Sequence, residues 1–192
     1  VSNQAPTINT ITVSSASGGA AVTSLSLSES TSTPLYVYGT FTDNNGCDEV
    51  TQHQSQSQFG NQFYAYTYRS GLATTTCLSG GCGWTPDDQY CYTSASTTDT
   101  GIWNATCSFS GCTGGTDVDG AYECRIPFNY FADPTDTGTY SAQTWNVRVA
   151  AADLGNTPNA WAFSTVEINT TAALTVTAAV NYGSLAFSAA ST

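Results

Sequence analysis

Hydrophobic and polar residues alternate along much of this chain. The clearest case is residues 145–153, where apolar side chains occupy every second position from Trp145 to Ala151 and Arg148 lies among the intervening positions. A period of two is typical of a β-strand with one buried face. We therefore expect a strand here, with its odd-numbered side chains in a core.

The same pattern predicts further strands. Residues 35–42 are rich in β-branched and aromatic side chains, which fit a pleated surface, and the turn signal Asn45-Gly46 follows them. Other alternating segments are residues 8–13, 22–28, 59–69, 121–128, 161–169 and 172–180. No stretch combines the helical period with capping residues. The expected fold class is all-β, with roughly nine or ten strands, which suits a two-sheet sandwich.

A short motif lies just ahead of residues 145–153. Residues 136–140 read Asp-Thr-Gly-Thr-Tyr, the spacing of a tyrosine corner, in which a tyrosine hydroxyl bonds the backbone upstream of a strand. The signature residues are Asp136, Gly138, Tyr140 and Trp145. Together with Ala-Pro-Thr at residues 5–7 and Gly-Thr-Phe-Thr at residues 39–42, this motif resembles immunoglobulin-like domains of bacterial and archaeal extracellular surface proteins.

The resemblance implies an immunoglobulin-like antiparallel β-sandwich over residues 1–170, with a long disulfide-rich loop insertion at about 72–120 and strand-like terminal extensions. Residues 171–192 are then a C-terminal strand or extension, a candidate donor strand for a neighbouring subunit. The likeness to antibody domains is architectural, because Ala142 stands where those domains carry their second core cysteine.

Seven cysteines are many for a reducing compartment and typical of a secreted chain. Two pairs are each separated by four residues, a spacing that zinc sites also use, but secretion favours disulfides over a metal. The connectivity stays open, except that we expect Cys107 and Cys124 on neighbouring strands. The odd thiol is either buried and free or cross-links subunits. The disulfide candidates are Cys47, Cys77, Cys82, Cys91, Cys107, Cys112 and Cys124.

The charge balance narrows the choice of partners. The formal net charge is -11, with three arginines and no lysine, so no basic patch can form for nucleic acid or anionic lipid. No apolar run reaches the length of a transmembrane helix, and we expect no membrane insertion. The absence of methionine indicates that a signal peptide has been removed and that Val1 is a processed terminus. The expected location is therefore secreted or at the cell surface.

Candidate catalytic chemistry is sparse. His53, the only histidine, lies in a polar Gln/Ser tract, and nothing resembles a nucleophile elbow. We therefore expect neither an enzyme nor a cofactor. The acidic residues in 43–49 and 117–119 raise Ca²⁺ as an alternative, against which stands the ordinary turn chemistry of Asp and Asn.

Sugars enter the sequence interpretation in two ways. Asn104 and Asn169 fit the N-glycosylation acceptor pattern. Exposed aromatic side chains can also form a flat platform for a sugar ring, or pack under loops or against a neighbouring subunit. The candidate platforms are Tyr64, Tyr66 and Tyr68 on one strand face, and Trp84 with Trp103.

The leading hypothesis is a structural subunit of an extracellular cell-surface assembly, a filament or pilus built by strand exchange between identical copies arranged head to tail. The apolar, strand-like segments at residues 1–13 and 172–187 motivate it. The alternative is a cell-surface adhesin or carbohydrate-binding module, with glycans as partners.

Overall fold

The computed structural model describes residues 4–48, 50, 63–72, 89–93, 105–152 and 161–172. These residues form ten strands and one short 3-10 turn, Gly138–Tyr140. The strands make two five-stranded sheets, so the expected all-β fold class is confirmed.

The first sheet is antiparallel throughout its described pairings. Its strands are β1 (Thr7–Ile8), β2 (Thr12–Ser14), β4 (Ser32–Thr42), β7 (Thr106–Ser110) and β8 (Asp119–Asn129). The order is β1-β4-β8-β7, with β2 also paired to β4. The two eleven-residue strands β4 and β8 run side by side along their whole length, from Ser32 opposite Asn129 to Thr42 opposite Asp119.

The second sheet has the order β3-β10-β9-β5-β6. Its strands are β3 (Ser24–Ser26), β5 (Phe63–Arg69), β6 (Cys91–Thr93), β9 (Trp145–Ala151) and β10 (Ala162–Asn169). Strand β3 runs parallel to β10, and the other pairings are antiparallel. Alternation in β9 buries Trp145, Val147 and Val149 completely, on the face that the sequence predicted.

One hydrophobic core includes side chains from both sheets. Two groups of aromatic rings dominate it. The first is Phe41, Phe63, Phe109 and Tyr122, with paired ring centroids 4.8 to 6.4 Å apart. The second is Tyr92, Phe128 and Trp145, with centroids 4.5 to 5.8 Å apart. Tilted and edge-on pairs of this kind add roughly 0.5–1.5 kcal/mol each beyond the burial of their area.

The segment predicted as one strand over residues 8–13 is divided into β1 and β2. The backbone N–H groups of Asn9 and Thr10 both donate to the carbonyl of Thr40, which marks one extra residue on this strand relative to β4. The close approach also requires glycine at position 39, since a Cβ there would lie 1.9 Å from the Thr10 carbonyl oxygen.

The tyrosine-corner prediction is not confirmed. Tyr140 ends the 3-10 turn instead of beginning a strand, and no hydrogen bond joins its hydroxyl to the described backbone. Its ring centroid instead lies 3.7 Å from Cζ of Arg69. Gly138 has a φ of +75°, and this left-handed conformation allows the tight turn that places the Tyr140 ring against the Arg69 guanidinium group. In the structure, the motif at residues 136–140 therefore positions Tyr140 for a cation–π contact with Arg69.

The prediction of disulfide bonds is confirmed. Cys47 pairs with Cys112 across 65 residues, and Cys107 with Cys124 across 17. In the chain-entropy description these bonds stabilise the fold by about 4 and about 3 kcal/mol, respectively. Cys107 and Cys124 lie opposite each other on the neighbouring strands β7 and β8.

The region of residues 72–120, predicted as an insertion, contributes β6 and β7 to the two sheets. Cys91, within β6, is buried and disulfide-bonded. The candidates Cys77 and Cys82 lie outside the described residues, as do residues 173–192 of the proposed terminal extension.

Candidate functional site

Two strands of the second sheet, β5 and β10, present aromatic rings on the side away from the core, and β9 lies between them. Tyr64 and Tyr66 come from β5, and Phe163 comes from β10, just after Trp161. Arg148 lies between them on β9, directly opposite Tyr66 on one side and Phe163 on the other. We call these five residues, Tyr64, Tyr66, Arg148, Trp161 and Phe163, the aromatic face.

The rings of the aromatic face form a connected group. The planes of Tyr64 and Tyr66 are nearly parallel, at 5°, with centroids 6.4 Å apart. The Trp161 ring lies 5.4 Å from that of Tyr66 and 6.3 Å from that of Tyr64. Side chains two residues apart on a strand share a face, and Trp161 and Phe163 follow the same rule. The two-residue repeat of side chains along each strand and the register between the strands therefore place these residues on one surface.

Exposure differs sharply within the aromatic face. Phe163 is 59% exposed, the largest exposure among the described large hydrophobic residues, whereas Tyr66 is buried. Burial also raises the pKa of the Tyr64 hydroxyl. An exposed ring beside half-buried ones gives a ligand an apolar surface that the fold itself leaves uncovered.

Arg148 is a cation held among rings. Its Cζ lies 4.9 Å from the Trp161 ring centroid and 4.4 Å from that of Phe163, distances at which the ring quadrupole attracts a cation. The residue is only 9% exposed, and its Nε is buried with no hydrogen-bond partner. In the part of the chain that the structure describes, no carboxylate pairs with it.

The three tyrosines that the sequence predicted as one platform lie in two different places in the structure. Tyr64 and Tyr66 belong to the aromatic face, whereas Tyr68 is buried in a separate small cluster with Cys91, Leu72 and Tyr90. Sequence reasoning did not include Arg148, Trp161 and Phe163 in the site. The available signal was their position on alternating strands, but the alternation does not tell which strands are neighbours.

A second concave surface lies on the outer side of the first sheet. This groove of about 410 Å³ is lined mainly by hydroxyl and small side chains, among them Thr12, Thr40 and Ser108. Its carboxylate, Glu123, already accepts hydrogen bonds from Ser17 Oγ and the Gly18 amide, at 2.7 and 2.8 Å. The groove therefore offers hydroxyls and one carboxylate that is already hydrogen-bonded within the chain.

The acidic turns considered for Ca²⁺ show turn chemistry in the structure. Asp117 accepts hydrogen bonds from the amide and the hydroxyl of Thr113, and these bonds lower the pKa of its carboxyl group. Asp43 accepts from the Asn45 amide, and Asp119 accepts from the Thr42 hydroxyl. Among the described residues, no group of three or more potential metal ligands occurs.

Some of the remaining sequence candidates lie among the described residues and others lie outside them. Asn169 ends β10, and its side-chain amide donates to Ser26 Oγ at 2.8 Å, so the nitrogen that would carry a glycan is already engaged. The other candidates, His53, Trp84, Trp103 and Asn104, lie outside the described residues. No helix in the described ranges is long and apolar enough to span a membrane.

A scan against protein-family models, a search of curated proteins and a search of solved structures found no match to this chain.

Proposed function

We propose that this chain is an immunoglobulin-like module of an extracellular surface protein, and that it binds carbohydrate through its aromatic face. The observation that carries the binding role is the face itself, with a largely exposed Phe163 on β10 and Trp161 just before that strand. Ligand sites combine aromatic side chains with a few polar groups, which is the composition found here.

The strand order supports the immunoglobulin-like part of the proposal. The first sheet, β1-β4-β8-β7, has the order A-B-E-D of such domains. The second sheet, β10-β9-β5-β6, has the order G-F-C with an added C′ strand. One difference from antibody domains is that the described in-sheet disulfide joins β7 to β8 and not one sheet to the other.

The disulfides support an extracellular location, because such bonds persist mainly in oxidising compartments. The aromatic face supports carbohydrate over nucleic acid, since the net charge of -11 opposes a polyanionic backbone. Flat rings bind the apolar faces of sugars by stacking, and the aromatic face contains four rings.

A glycan array probed with the purified chain tests the proposal. We expect binding to a subset of glycans, and Phe163→Ser should remove most of that signal. Phe131→Ser is the matched control, because Phe131 is 40% exposed but lies in the turn after β8, outside the aromatic face. Absence of binding to any glycan, or equal loss in both variants, would contradict the proposal.

The second candidate function is the filament subunit, and one observation favours it. Among the described strands, β7 is the outermost strand of the first sheet, and its exposed and half-buried side chains alternate. An open strand edge can accept a strand from another copy through backbone hydrogen bonds. Electron microscopy of the chain with and without residues 171–192 tests this role. Filaments that persist after the deletion would exclude a donor role for that segment.

A further inference from the structure

We infer that the sugar bound by the aromatic face carries a carboxylate, which pairs with Arg148. This inference rests on the proposed carbohydrate function and specifies its ligand class: glycans that contain a uronic acid or another carboxylated sugar. The observation behind it is a cation placed between the rings of Trp161 and Phe163, with its Nε buried and unbonded and no carboxylate among the described residues paired with it.

A buried charge without a partner is expensive, and proteins normally pair it. The same sheet contains a paired example. Arg69, 8% exposed, donates from Nε to Asp133 and from a terminal nitrogen to Gln143. At Arg148 the described residues supply rings but no hydrogen-bond acceptor. Its Nε is buried, so a ligand would pair with the terminal nitrogens of the guanidinium group.

The chemistry of the guanidinium group selects the ligand's anion. Its planar set of N–H donors matches a carboxylate, which can accept two parallel hydrogen bonds. The aromatic rings around it select an apolar surface on the same molecule. A carboxylated sugar has both features, because the ring offers an apolar face for stacking and the carboxylate projects from its rim.

Charge across the chain affects how such a ligand is held. With a net charge of -11, the molecule as a whole repels an acidic glycan at long range. Recognition must therefore come from short-range pairing with Arg148 inside the aromatic face. A neutral sugar keeps the stacking but leaves Arg148 unpaired, so it should bind more weakly.

Titration calorimetry with two matched probes tests the inference. One probe is an oligosaccharide that contains glucuronic acid, and the other is the same oligosaccharide after reduction of its carboxyl groups to alcohols. We expect the intact chain to bind the acidic probe about tenfold or more tightly than the reduced one. Arg148→Met should abolish this preference, so that the two probes bind the variant with affinities within about threefold of each other.

Two further variants separate charge from stacking. Arg148→Lys keeps the positive charge but loses the bidentate geometry, and should retain only part of the preference. Phe163→Ser should weaken binding of both probes by similar factors, because it removes stacking and not the cation. Circular dichroism and thermal melting confirm that each variant is folded.

The outcomes distinguish this inference from the proposed function. Equal affinity for the two probes overturns the carboxylate inference and leaves carbohydrate binding intact. A preference that persists in Arg148→Met also overturns it. Binding of neither probe overturns the carboxylate inference, and the glycan array then decides the proposed function. Binding of an acidic peptide such as polyglutamate, without binding of any glycan on the array, overturns both.

Discussion

Two arginines on neighbouring strands of the second sheet are buried to nearly the same extent, yet their surroundings differ. Arg69, at the end of β5, forms an ion pair with Asp133 at 2.9 Å and contacts the Tyr140 ring. Arg148, in the middle of β9, contacts two rings and has no described anionic partner. The difference indicates that the first cation stabilises the fold, and it is the basis of our proposal that the second one recognises a ligand.

The surroundings of Arg69 connect several distant segments. Gln143 Oε1 accepts from Arg69 and also from the Gly71 amide, and the carbonyl of Asp133 accepts from Trp145 Nε1 at 2.9 Å. The ion pair is thereby linked to a fully buried ring in the core. In the aromatic face, the described contacts with Arg148 are made by the rings of Trp161 and Phe163.

The largest effect that we predict is at the paired arginine. Arg69→Met should lower the free energy of unfolding by about 3–5 kcal/mol, because it removes the largely buried ion pair with Asp133. Urea denaturation followed by tryptophan fluorescence measures the loss. The double variant Arg69→Met/Asp133→Leu should recover part of it. A loss below about 1 kcal/mol in the single variant would show that the pair is not structural.

The next prediction concerns the ring beneath this pair. Trp145→Phe should cost about 2 kcal/mol, because it removes the hydrogen bond to Asp133 and leaves a small cavity. Trp161→Phe on the aromatic face is the matched control, with an expected loss under about 1 kcal/mol, since Trp161 is only partly buried. Chemical denaturation at neutral pH compares the two variants. Equal losses of stability in Trp145→Phe and Trp161→Phe would contradict the expected difference between the surroundings of Arg69 and the aromatic face.

At the unpaired arginine we predict a small effect on stability. Arg148→Met should change the free energy of unfolding by less than about 1 kcal/mol. The variant loses the cation–π attraction, but it also avoids the desolvation penalty of a buried charge that has no described anionic partner. The denaturation experiment used for Arg69→Met measures it. A loss as large as that of Arg69→Met would mean that Arg148 has a structural role.

The smallest effect is a pH dependence in the segment that follows Asp133. Hydrogen bonds from the hydroxyl and the amide of Thr170 lower the pKa of the Asp136 carboxyl from its ordinary 3.8. A lowered folded-state pKa stabilises the fold above the ordinary value, and this contribution is lost as the pH falls through the lowered pKa. The stability difference between the intact chain and Asp136→Asn should therefore be largest near neutral pH and shrink below about pH 4.

Stability measured by denaturation at several pH values between 7 and 2 tests this dependence, and NMR titration of the Asp136 carboxyl measures its pKa directly. The matched control is Arg148→Met, whose stability should follow the same pH curve as the intact chain because no described carboxylate contacts Arg148. A difference for Asp136→Asn that does not vary with pH would contradict the assignment.

Local patterns predicted more of the strands than of the site. The alternation in residues 145–153 correctly placed Trp145, Val147 and Val149 in the core and Arg148 on the opposite face. The spacing of residues 136–140 suggested a tyrosine corner, but Tyr140 instead covers Arg69. A short motif specifies a turn, whereas the direction of a side chain beyond it depends on what the rest of the fold brings nearby.

The sequence by itself determined the all-β class, the faces of the main strands and the formation of disulfides, because alternation and cysteine chemistry act over a few residues or through composition. Only the tertiary structure decided which partner each arginine received. Asp133 lies 64 residues from Arg69, and Phe163 reaches Arg148 through the register of β10 on β9. Such pairings depend on packing between distant segments, which no local pattern encodes.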